Sequence, residues 1–187
     1  LNRRTLVVLL PTALTLARLC AVPVTIWLIL SDAFGAAFWI FVAAGVTDAL
    51  DGALARWLDA RTMIGAYLDP IADKALLVSV YITLGADGLI PIWLVILVVF
   101  RDLLIVGGVL LSHTLGLPVT MAPLTISRIN TVAQIVLAGL ALAVAGSGIA
   151  VPRLLAMMVA VAGVTTAISG AAYVVSWVRR LAGMERV

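Results

Sequence analysis

Four aspartates, Asp48, Asp51, Asp69 and Asp73, stand in otherwise apolar sequence, and they are four of only nine acidic residues in the chain. On insertion scales an aspartate at the centre of a membrane helix costs roughly 2.5–3.5 kcal/mol, so four unpaired ones would cost on the order of 10 kcal/mol. Arg56, Arg61 and Lys74 are the nearby cations, too few to compensate a structural ion-pair network. A carboxylate cluster without matching histidine or cysteine points to a hard cation with oxygen ligands. At about 100° per residue, Asp48 and Asp51 lie about 60° apart on one helix, with Gly52 and Ala55 on the same stripe. Gly65, Asp69 and Asp73 step by about 40° each along the next helix and share a second stripe. The short connection makes these two helices antiparallel neighbours, so the stripes are expected to face one cavity. Gly52 and Gly65 take side chains away where a bulky group must approach backbone. Arg56 offers a permanent planar charge suited to phosphate, and Thr62 offers a hydroxyl to a ligand or caps its helix. Metal, arginine and open backbone together are apparatus for phosphoryl transfer or phosphodiester exchange.

The elements that carry these residues are membrane spans. Hydrophobic residues make up 64% of the 187-residue chain, charged residues 11%, and mean hydropathy is +1.24. Apolar runs at roughly 12–31, 34–55, 66–86, 90–112, 126–146 and 151–177 approach or exceed the ~20 residues that cross a bilayer core. The expected fold is all-α and integral to the membrane, a single domain over 1–187 with six transmembrane helices. Residues 1–11 read as an amphipathic juxtamembrane segment, with Pro11 turning the chain inward. The first span is too long and too internal for a cleavable signal.

Basic residues set the orientation. Arg3, Arg4, Arg56, Arg61, Arg128, Arg179, Arg180 and Arg186 fall at one set of helix ends, whereas the opposite loops hold Asp32, Asp87 and Arg153. Positive-inside bias puts both termini and the aspartates on the cytoplasmic side of a bacterial inner membrane or its equivalent. A net charge of +3 suits an anionic lipid surface, and no basic run with interleaved aromatics favours nucleic acid. A single cysteine, Cys20, and a single histidine, His113, exclude an internal disulfide and paired-His or Cys-based metal sites.

The pattern Asp48-x2-Asp51-Gly52-x2-Ala55-Arg56-x8-Gly65-x3-Asp69-x3-Asp73 resembles, at every defined position, the signature of the CDP-alcohol phosphotransferases. The resemblance implies six transmembrane helices, a homodimer and a Mg²⁺- or Mn²⁺-dependent site facing the cytoplasm. It implies transfer of a phosphatidyl or similar group from a CDP-linked lipid to an alcohol, with release of CMP. Carried onto this chain, Asp48, Asp51 and Asp69 would be metal ligands, and Asp73 the general base with a share in metal binding. Gly52, Ala55, Arg56, Thr62 and Gly65 would line the CDP-lipid site.

Pro11 to Arg18 is similar to the family's Pro-Asn-x-Leu-Thr-x-x-Arg entry, with Thr12 where asparagine is usual. Leu68 to Lys74 resembles the branches that make phosphatidylglycerophosphate and cardiolipin. Phe100-Arg101-Asp102 and the run from Pro123 to Gln134 resemble the CMP-forming cardiolipin synthase branch more closely. That branch implies CDP-diacylglycerol as donor and phosphatidylglycerol as acceptor. The alternative acceptor is glycerol 3-phosphate, and a cation-coupled transporter is the remote alternative. Arg128 and Arg101 are candidates to hold the acceptor phosphate. The plainer reading pairs Arg101 with Asp102 and has Asn130 and Gln134 bond between helices.

Overall fold

In the computed structural model, backbone is described over residues 3–58, 63–114 and 125–184, and side chains over 16–48, 74–108 and 125–179. Among the described residues the chain is entirely helical: α1 (Arg3–Leu30), α2 (Phe34–Leu58), α3 (Met63–Ala86), α4 (Ile92–Thr114), α5 (Thr125–Ser147) and α6 (Pro152–Met184). The apolar runs read from sequence coincide with these helices.

Chain punctuation fixes four of the helix termini. Asp32, with φ 55°, closes α1: Ala33 N–H reaches Leu28 C=O at 2.9 Å and Asp32 N–H reaches Ile29 C=O at 3.0 Å. Gly88, with φ 73°, ends α3 by the same pair of bonds, Leu89 to Leu84 and Gly88 to Gly85. Both satisfy carbonyls that a helix end otherwise orphans. Gly148 ends α5 with a bond to Val144 C=O, and Pro152 opens α6 at the one position where a missing N–H is harmless.

One expectation is corrected. Pro11 does not end a separate surface segment, because α1 runs through it from Arg3 to Leu30. A proline inside a helix forfeits one backbone bond, a loss that the turns on either side of it outweigh here. At 1.5 Å per residue the 28-residue helix is about 42 Å long, longer than a ~30 Å apolar core is thick.

Packing divides the chain into two compact units, residues 1–89 with 138–150, and residues 90–137 with 151–187. In the first, α1 lies against both α2 and α3, the helices that carry the aspartates. The end of α5 crosses the start of α2 backbone to backbone: a Cβ on Gly146 would stand 2.7 Å from Gly35 N. In the second unit α4 packs on α6 in parallel, Trp93 over Gly163 and Arg101 beside Gly170.

Polarity is inverted relative to a water-soluble bundle. Arg18, Thr25, Thr83, Arg101, Asp102, Asn130, Gln134, Thr166 and Ser169 are buried, while Ile92, Ile96, Phe100, Leu103 and Val106 form an exposed stripe along α4. Thr25 and Thr83 turn their hydroxyls back onto the carbonyls of Ala21 and Ser79, which removes two donors from an apolar interior. Among the described residues, Thr125–Ser147 and Pro152–Arg179 are long and apolar enough to cross a membrane.

Candidate functional site

Asp48 is the motif aspartate whose side chain is described, and it is already engaged. It lies on α2, 43% exposed, with its Oδ1 2.9 Å from Nη1 of Arg18 on α1. Arg18 is buried, its side chain 2% exposed. The short turn at Ser31-Asp32-Ala33 brings the two helices back to back and sets residue 18 opposite residue 48. Neighbouring Thr47 spends its hydroxyl on Ala43 and Ala44 C=O, both 2.9 Å away, so the polar group presented at this point of α2 is the carboxylate. Oδ2 lies outside this ion pair on a half-exposed residue, as a hard oxygen donor for a cation requires. This donor chemistry fits Mg²⁺ or Mn²⁺.

Asp51, Gly52, Ala55 and Arg56 lie further along α2, and Gly65, Asp69 and Asp73 lie on α3. Their side chains, and Thr62 altogether, fall outside the described residues. Both stripes therefore lie on helical backbone, each on its own helix, in the unit where α1 packs against both.

A second polar cluster occupies the other unit. Arg101 on α4 is 3% exposed, and Nε, Nη1 and Nη2 are all used. Nη1 binds Asp102 Oδ1 at 2.8 Å, Nε and Nη2 bind Ser169 Oγ on α6 at 3.2 and 2.7 Å, and Nη2 also binds Ser127 Oγ on α5. Tyr173 places its ring 5.7 Å from the guanidinium carbon. This is a planar cation satisfied by a carboxylate, two hydroxyls and an aromatic ring, and it ties three helices together. The ion pair with Asp102 is the plainer arrangement read from sequence.

Deeper in the same unit, Asn130 Oδ1 accepts from the hydroxyls of Thr165 and Thr166 at 3.0 and 2.8 Å, and Gln134 Nε2 donates to Thr166 Oγ1 at 3.3 Å. Asn130 and Gln134 do bond between helices, joining α5 to α6. Arg128 differs from all of these. It sits in the first turn of α5, exposed, one residue beyond the Ser127 that Arg101 holds.

Sequence reasoning placed Arg18 only within the entry pattern and missed its contact with Asp48. Its signal was there, since a buried cation in an apolar helix needs an acid within reach. Ser127, Ser169 and Tyr173 carried no comparable signal, being ordinary residues of membrane helices.

The family model described as CDP-alcohol phosphatidyltransferase matches residues 8–178, and the chain belongs to that family. Among curated proteins, the cardiolipin synthase (CMP-forming) of Rattus norvegicus is 35% identical over 150 residues, covering 72% of this chain and 50% of the relative. The Homo sapiens protein of the same name gives the same identity and coverage. The chloroplastic CDP-diacylglycerol–glycerol-3-phosphate 3-phosphatidyltransferase 1 of Oryza sativa subsp. japonica is also 35% identical over 150 residues, covering 71% of this chain and 46% of the relative. The chain spans about half the length of these curated relatives.

Proposed function

We propose that this chain is a CMP-forming cardiolipin synthase, transferring a phosphatidyl group from CDP-diacylglycerol to phosphatidylglycerol. The observation that carries the reading is the complete eight-residue motif on α2 and α3 of a chain that belongs to the family. Phe100-Arg101-Asp102 and the run from Pro123 to Gln134 favour phosphatidylglycerol as acceptor. The second reading, glycerol 3-phosphate, is favoured by the rice relative at the same identity.

Asp48, Asp51, Asp69 and Asp73 would hold one or two divalent cations, which when bound polarise the donor pyrophosphate and stabilise the departing charge. Gly52, Ala55, Arg56, Thr62 and Gly65 receive the CDP group, the glycines by backbone approach and Arg56 by charge. Asp73 takes the proton of the acceptor hydroxyl as its oxygen forms the new bond to phosphorus. The bond from that phosphorus to the CMP oxygen breaks, and CMP leaves with the electron pair. Arg128, exposed at the head of α5, grips the acceptor phosphate. Arg101, held by Asp102 and Ser169, steadies Ser127 beside it.

The working unit is one membrane domain of six spans, a homodimer, with both termini and the site on the cytoplasmic face. The inverted polarity and the exposed apolar stripe on α4 support immersion in lipid. Purified protein given CDP-diacylglycerol, Mg²⁺ and each acceptor separately tests the function. Cation-dependent CMP release with phosphatidylglycerol is expected. Release with neither acceptor would remove the enzymatic reading.

A further inference from the structure

We propose that Arg18 shares Asp48 with the cation that the motif carboxylates hold, and thereby keeps the affinity of that site below what the carboxylates alone would give. This rests on the cation site proposed above and concerns how tightly it binds.

Arg18 is a permanent charge, since a guanidinium does not lose its proton in a protein. It is also a fixed one. Its side chain is 2% exposed, it projects from α1, and α1 packs against both α2 and α3. Its contact with Asp48 is made by one nitrogen on one oxygen, Nη1 to Oδ1 at 2.9 Å. That leaves Oδ2 outside the pair on a side chain still 43% exposed. The carboxylate is thus divided, with one oxygen committed to the protein and the other on offer.

Two consequences oppose one another. Holding Oδ1 fixes the carboxylate plane, which favours any ligand that uses Oδ2. The same guanidinium repels a second cation on the same carboxylate, and the repulsion doubles for a divalent ion in a poorly screened setting. Repulsion outweighs orientation here, because Asp48 sits on a helix whose backbone already limits its directions. A site that must release CMP every turnover gains from a cation held without excess affinity. It also gains a countercharge for Asp48 that does not depend on cation supply.

Mn²⁺ binding to purified protein in detergent tests this, with chelator-stripped samples titrated and free Mn²⁺ read by electron paramagnetic resonance, no lipid substrate being present. Wild type, R18M, R18Q, R18K and D48N are compared. R18M and R18Q are expected to bind Mn²⁺ at least about tenfold more tightly than wild type, with R18K within about threefold of it. The rise in unfolding temperature on adding Mn²⁺ is expected to be larger in R18M and R18Q than in wild type. Equal or weaker binding in both neutral variants overturns the proposal and makes Arg18 a simple orienting or structural residue. Failure of both to fold even in saturating Mn²⁺ overturns it equally. Wild type that binds no Mn²⁺, or binds it no better than D48N, overturns the cation site itself, a failure distinguished by appearing before Arg18 is touched.

Discussion

Replacing Asp48 by asparagine keeps the shape of the side chain and removes its charge, so it isolates what the carboxylate contributes. Asp48→Asn and Asp73→Asn are each expected to lower the rate of CMP release by at least about 10²-fold, the scale of losing an electrostatic or general-base group. Initial rates at saturating substrate and Mg²⁺ check this, and near-wild-type turnover in either variant would remove that residue from the reaction. Arg128→Ala is expected to raise the acceptor KM by a factor equivalent to about 1.5–3 kcal/mol while donor binding without acceptor barely changes. Donor affinity lost with acceptor dependence intact would move Arg128 to the CDP group. The aspartates were legible because a charge in apolar sequence demands a reason. The Arg18–Asp48 contact was not, because which acid a buried arginine meets depends on how α1 lies on α2, and spacing within one helix carries no such information.

At the scale of helices, contacts between backbones are the sensitive points. A Cβ on Gly146 would fall 2.7 Å from Gly35 N and 2.9 Å from its Cα, and backbone cannot swing aside as a side chain can. Gly146→Leu is therefore expected to destabilise the fold by about 1–3 kcal/mol, seen as a lower unfolding temperature in detergent. An unchanged unfolding temperature would show that α5 and α2 part at no cost. Arg101→Met severs the tie among α4, α5 and α6 and deprives buried Asp102 of this partner, a loss of about 3–5 kcal/mol by the same assay. Gly163, whose added Cβ would meet the ring of Trp93 at 2.9 Å, is the milder site, since the indole can shift. Helix positions were legible from apolar run length alone. The course of α1 through Pro11 was not, because a proline marks a lost bond without saying whether the surrounding helix tolerates it.

For the whole molecule, the inverted distribution of polarity is the property that matters, with hydroxyls, amides and two arginines inside and large aliphatic side chains outside among the described residues. In water the exposed stripe of α4 would drive aggregation; in lipid it is the matching surface. Family membership joins that body to the motif, and in the proposed reaction the signature sets the donor while the acceptor is set elsewhere. Two relatives, one named for cardiolipin and one for glycerol 3-phosphate, share the same 35% identity with the chain, so the proposed acceptor rests on local sequence around Arg101 and Arg128. The decisive measurement offers both acceptors at once. Purified protein with CDP-diacylglycerol, Mg²⁺ and equal concentrations of phosphatidylglycerol and glycerol 3-phosphate is allowed to react, and the lipid products are identified by mass spectrometry. The account predicts cardiolipin as the main product, formed in step with CMP; phosphatidylglycerophosphate as the main product, with little or no cardiolipin, would contradict it.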